Sequence, residues 1–161
     1  MRLSIHAIGR MKQGPERELV ARYLERAVGS GRPLGLTGFE VAEFPESRAG
    51  SAPSRKADEA KTLASSLADG AILICLDEHG KSISSESLAK QIGRWRDDGR
   101  QAAGFVIGGA DGLDPAFLAN ADLVLSFSPL TWPHQLVRIM LAEQLYRATT
   151  ILSGHPYHRG E

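Results

Sequence analysis

Residues 71–77 read Ala71-Ile72-Leu73-Ile74-Cys75-Leu76-Asp77, an unbroken apolar run closed by an acid. A run this short cannot cross a membrane, and it carries no helical stripe. Bounded by polar segments on both sides, it reads as a strand buried on both faces, as central strands of parallel sheets are. Residues 104–109 (GFVIGG) repeat the pattern, and residues 121–127 (ADLVLSF) give a weaker version of it.

The intervening segments carry helical periodicity. Gly14-Pro15 followed by Glu16 and Glu18 suits a helix start, with proline in the first turn and acids at the positive end of the dipole. Leu19, Val20, Tyr23, Leu24 and Ala27 then share one face, and Gly29 and Gly31 end the helix. Helices are predicted over 55–69 (Ala60, Leu63, Ala64 and Leu67 inward), 84–98 (Leu88, Ile92, Trp95) and 114–120. A long one runs from Pro133 to about Ile151, with Leu136, Val137, Met140, Leu141, Leu145 and Ala148 inward. Residues 2–8 and 38–44 alternate and read as strands. Alternating strands and helices predict an α/β domain, a mostly parallel sheet with helices on both faces, spanning 1–161 as a single domain.

Composition bounds the function. With 161 residues, 42% hydrophobic and 24% charged, the chain can build a real core; disorder is expected only around 45–56. Formal net charge is zero, which argues against a protein that coats nucleic acid by charge alone. One cysteine, Cys75, leaves no intrachain disulfide and suits a cytoplasmic location; inside an apolar strand it reads as inert core. No run of 18 apolar residues exists and the N-terminus lacks a signal-peptide pattern, so no membrane association is expected.

Parallel sheets bind ligands beyond the carboxyl ends of their strands. Three turns fall there: 76–80 (LDEHG), 108–113 (GGADGL) and 126–134 (SFSPLTWPH). Gly108-Gly109 permits either close backbone approach to a ligand or a tight turn; it is neither a GxGxxG fingerprint nor a Walker A loop. The third turn places Phe127, Leu130 and Trp132 in a loop, where a partner subunit, a flat aromatic ligand or the core must cover them. His134 and Arg138, four residues apart, share a helix face, which is either the polar edge of a site or simply solvated. The tail, 155–161 (HPYHRGE), gathers His155, Tyr157, His158 and Arg159, side chains that stack on bases and contact phosphate. It lacks the spacing and further ligands of a metal site, so no metal is expected.

The stretches GFVIGGADGL (104–113) and LSFSPLTWPHQLVRIMLAEQLYRATTILSGHPYHR (125–159) resemble the signature half of the RlmH family of SPOUT methyltransferases. PHQLVR, AEQLYRA and HPYHR together carry the resemblance, and LDEHGK and GRWRDDG upstream fit its order. The resemblance implies a C-terminal trefoil knot, a homodimer, and S-adenosyl-L-methionine as cofactor. It further implies methylation of ring nitrogen 3 of a pseudouridine in 23S rRNA on the ribosome. Carried over, the cofactor contacts are Leu76, Gly108, Phe127, Ser128, Pro129, Leu130, Thr131 and Trp132. The catalytic group is Tyr157, His158 and Arg159, and His134, Arg138 and His155 face the substrate, with Arg138 on a phosphate or on the cofactor's carboxylate. Many relatives carry proline where Ala110 stands, and Gly160-Glu161 lengthens the tail. Two other readings remain beside this one: a non-catalytic ribosome-binding factor, and a small-molecule enzyme on an unknotted α/β sheet.

Overall fold

The computed structural model describes residues 1–159; the Gly160-Glu161 extension lies outside them. In chain order the elements are β1 (Arg2–Ile8), α1 (Pro15–Gly31), a 3-10 turn (Arg32–Leu34), β2 (Thr37–Phe44), α2 (Ala52–Ser66), β3 (Ile72–Lys81), α3 (Ser85–Asp97), β4 (Ala102–Ile107), α4 (Pro115–Ala119), β5 (Leu123–Leu125) and α5 (His134–Ser153). The five strands form one sheet in the order β2-β1-β4-β3-β5, and every pairing is parallel.

The period of two within the strands divides the core. Leu3, Ile5, Ile72, Ile74, Ala103, Phe105 and Ile107 point to one face and meet Val20, Leu24, Leu88, Ile92, Leu141 and Leu145 of α1, α3 and α5. Leu73, Cys75 and Val106 point to the other and meet Leu63 of α2 and Phe117 of α4. Both faces of β3 and β4 are therefore covered, which is why their sequences are continuously apolar. His6 belongs to the second face. It is buried between two serines, with Ser4 Oγ 2.8 Å from Nε2 and Ser66 Oγ 2.7 Å from Nδ1, and burial lowers its pKa from 6.5.

Several expectations are corrected. The segment 45–56 is tied down: Ser51 caps α2, Arg55 Nη1 donates to Ala49 O at 3.1 Å and Ser47 Oγ donates to Asp58 at 3.0 Å. Ala64 is exposed, and Glu59 takes the inward place one turn from Leu63. Leu136 is 40% exposed, while Arg138 on the same helix is only 3% exposed. β3 continues to Lys81 rather than ending at Asp77, because residues 77–80 bulge out and Lys81 rejoins Leu125. β5 is only Leu123–Leu125: Asp122 has its carboxylate on Leu73 N at 2.8 Å, and Ser126 N turns to Lys81 O at 2.9 Å.

Candidate active site

The three turns converge. Beyond the carboxyl ends of β3, β4 and β5 lies a cavity of 420 Å³, within the roughly 300–1,000 Å³ range of small-molecule sites. Leu76, Ile107 and Leu125 lie along its apolar side, and Phe127, Leu130 and Trp132 come from the loop before α5. Of the sequence-predicted cofactor residues, Leu76, Gly108, Phe127, Ser128, Leu130, Thr131 and Trp132 line it; Pro129 is in the same loop but does not.

Two glycines make the cavity possible. A Cβ on Gly108 would lie 3.0 Å from both the Gly112 carbonyl carbon and Leu113 Cγ, so any other residue there would push the β4 turn open by a few tenths of an ångström. A Cβ on Gly80 would meet Val124 O at 2.6 Å, so only glycine lets the 77–80 bulge lie against β5.

The walls are pre-set by hydrogen bonds. Ser126 Oγ lies 3.1 Å from both Glu78 O and Ser128 O, Leu130 N donates to Ser128 Oγ at 2.8 Å, and Thr131 Oγ1 donates to Glu78 Oε2 at 3.2 Å. On the other wall the Arg55 guanidinium donates twice to Asp111, at 2.7 and 3.1 Å, and holds that carboxyl below its usual pKa. Below Gly109 sits Glu59, 6% exposed, whose carboxyl is pushed up by burial. A slot lined on one side by apolar side chains and edged by backbone groups of two fixed turns fits adenosine, whose ring needs enclosure and whose edge needs amide and carbonyl partners.

The tail is elsewhere. Tyr157 packs on Tyr146 with ring centroids 4.6 Å apart and donates from its hydroxyl to Glu143 Oε1 at 3.0 Å. The Arg147 guanidinium lies 4.9 Å from the Tyr157 ring centroid. Arg147 Nη1 donates to His158 Nδ1 at 3.1 Å, which leaves Nε2–H to donate to Glu86 at 2.7 Å. Burial first, and Glu143 second, raise the Tyr157 phenol to about 12. His155 is exposed and its Nδ1 accepts from Tyr157 N at 3.1 Å; Arg159 is exposed. None of these four lines the cavity. Glu143, next to Tyr157, is nine residues along α5 from His134, about 13 Å of helix. The structure thus keeps the tail group together but away from the cavity of its own chain.

His134 lines the cavity; Arg138 does not. Arg138 is neither on a solvated face nor placed to meet a cofactor carboxylate there. Its Nη1 pairs with Glu43, and Nη2 donates to Gly9 O at 3.1 Å. Sequence reasoning missed Glu143, Arg147 and Glu86 as partners of the tail. The i,i+4 spacing of Glu143 and Arg147 was their only visible signal. Cys75 is fully buried and its thiol is pushed up to about 12, chiefly by burial. Among the described residues no cluster of three potential metal ligands occurs, and no helix is long and apolar enough to cross a membrane.

An all-parallel sheet covered on both faces, with a cleft of fixed turns at its carboxyl edge, defines an α/β protein with the cleft where such sheets hold small molecules. The model of the family described as "Predicted SPOUT methyltransferase" matches residues 1–158, and the chain belongs to that family. It is 58% identical over 159 residues to Ribosomal RNA large subunit methyltransferase H of Brucella anthropi, covering 99% of each chain. To the protein of the same name from a Bradyrhizobium species it is 55% identical over 159 residues, 99% of this chain and 98% of the relative. The crystal structure of a probable methyltransferase from Bordetella pertussis Tohama I shares the fold, with TM-score 0.51 at 16% identity over 91% of this chain and 93% of that one.

Proposed function

We infer that the chain, acting over 1–161 as one domain, methylates 23S rRNA of the large ribosomal subunit with S-adenosyl-L-methionine as donor. The carrying observation is the cleft in which Leu76, Gly108 and the 127–132 loop meet, in a chain whose relatives, matched over 99% of its length, are named ribosomal RNA large subunit methyltransferase H. The acceptor is ring nitrogen 3 of a pseudouridine, the substrate the sequence resemblance implies. The same resemblance implies a C-terminal trefoil knot, a homodimer, and work in the cytoplasm where ribosomes are.

The donor supplies a methyl group already activated on its sulfonium, so the protein's task is to hold acceptor and donor in line. The imide nitrogen must lose its proton as the new bond forms. Tyr157, kept a phenol by its raised pKa, positions the base by donating a hydrogen bond; it does not accept the proton. His158 relays the proton: Nδ1 takes it, giving up the Arg147 contact, and the Nε2 proton passes to Glu86. Arg159 stabilises the developing imide anion, while His134 and His155 flank the nucleotide.

The tail lies about 13 Å or more along α5 from its own cleft, so the arrangement works when the tail of one subunit reaches the cleft of its partner. Leu130 at 66%, Trp132 at 38% and Leu136 at 40% exposure leave an apolar strip beside the cleft, suited to such a contact.

The test is methyl transfer from labelled S-adenosylmethionine to large subunits of a strain lacking the modification, with pseudouridine either present or replaced by uridine. Incorporation only with pseudouridine supports the reading. Incorporation into neither, with cofactor still bound, refutes the substrate.

A further inference from the structure

A second cavity, of 540 Å³, opens on the other side of His134. Its walls are the loop after β1, the loop after β2, and the first turns of α5. Three arginines line it, Arg10, Arg48 and Arg138, against one acid, Glu46. Glu43 balances Arg138 from behind, so in a chain of zero net charge the wall keeps an excess of one positive charge, carried by the exposed arginines of two loops far apart in sequence.

The arginines differ in kind. Arg10 and Arg48 are exposed, and they stand on the two loops. Arg138 is only 3% exposed, and its Nε is buried without any hydrogen-bond partner among the described residues. Its other two nitrogens are committed, Nη1 to Glu43 and Nη2 to Gly9 O. Those contacts fix the plane of the guanidinium where Arg138 borders the cavity, and a buried N–H left unpaired costs free energy. Glu43 accepts from Met11 N at 2.7 Å as well, so the same carboxylate ties Arg138 to the loop that carries Arg10.

We propose that this cavity is a phosphodiester-binding subsite, which seats a backbone phosphate of the RNA strand beside the nucleotide to be methylated. The proposal rests on the functional reading above for its ligand. His134 lines both cavities, so a phosphate held by the three arginines lies one side chain from the methyl donor. Arginine suits the task, because its planar donors match phosphate oxygens and its charge persists at any working pH. The subsite also explains how a neutral chain selects RNA: it grips at one place rather than through a general basic field.

Arg10→Ala and Arg48→Ala are the informative variants, since both side chains are exposed and the fold does not depend on them. Binding of purified large subunits is measured against salt concentration, and S-adenosylmethionine binding is measured by calorimetry without RNA. Each variant should weaken subunit binding about tenfold and lower the salt slope by about 1, with cofactor affinity unchanged. Unchanged subunit binding and slope would overturn the proposal. Loss of cofactor affinity instead would overturn it too, by assigning the cavity to the cofactor's carboxylate. A wild-type protein that binds subunits with this signature yet never methylates them would refute the functional reading and leave the subsite standing.

Discussion

Removing Glu43 should destabilise the fold by stranding a buried arginine. Arg138 is 3% exposed and its ion-pair partner Glu43 is 25% exposed at the side chain. Glu43→Ala leaves a buried guanidinium with one carbonyl contact, Gly9 O, and frees Met11 N as well. Stranding a buried charge costs roughly 3–5 kcal/mol. Glu43 is a quarter exposed and Arg138 borders a cavity that admits water, so the low end applies, about 3 kcal/mol. At roughly 2–4 °C per kcal/mol for a chain of this size, the melting temperature should fall about 6–12 °C. Urea unfolding followed by far-UV circular dichroism measures it, with an unchanged slope showing that the native state is otherwise intact. Replacing both residues, Glu43→Leu with Arg138→Met, should recover most of the loss, because the uncompensated charge is gone. A loss under about 1 kcal/mol for Glu43→Ala would refute the reasoning, since the pair would then behave as a solvated surface contact.

Gly80→Ala places a Cβ 2.6 Å from Val124 O; β5 must shift and carry the 126–131 loop with it, so cofactor affinity by calorimetry should fall about tenfold or more. Tyr157→Phe should lower turnover and leave cofactor affinity intact, because the hydroxyl it removes is assigned to the acceptor base and not to the cofactor; equal loss of both would sink its assignment as a substrate-positioning group. His6 has a folded pKa lowered by burial, so the unfolded chain binds its proton more readily. The stability held above pH 6.5 should drain away as pH falls through the folded value, and His6→Gln should flatten that part of the curve in thermal melts. Cys75, with its thiol pushed up to about 12, should react with thiol reagents in native protein only at the rate of unfolding.

The sequence carried the sheet because its signal is local. Ile72, Ile74 and Leu76 against Leu73 and Cys75 divide between two cores, and an apolar run is what two buried faces require. The meeting of the three turns was legible for the same reason: strands that end together bring 76, 108 and 127 to one cavity. What escaped was non-local. Arg138 reads as either the polar edge of a site or a solvated partner of His134 until Glu43, 95 residues away, supplies its counter-charge. Glu59 interrupts an apolar face because Gly109 packs over it. The extension of β3 to Lys81 depends on Gly80 meeting Val124, a contact no periodicity encodes. Leu136 reads as core by its spacing, yet it joins Leu130 and Trp132 outside. The tail's residues were found by their chemistry, but their place, folded back on Glu143 and Arg147, follows from contacts the i,i+4 pair only hinted at.

The central claim is that the three turns at the carboxyl edge of the sheet form the methyl-donor site. Backbone amide mapping by nuclear magnetic resonance during titration with S-adenosylmethionine tests it most directly. Shifts concentrated at Leu76, Gly108 and Phe127 to Trp132, with one cofactor bound per cleft, are the predicted result. Absence of binding, or shifts centred on other residues with these turns unmoved, would contradict it.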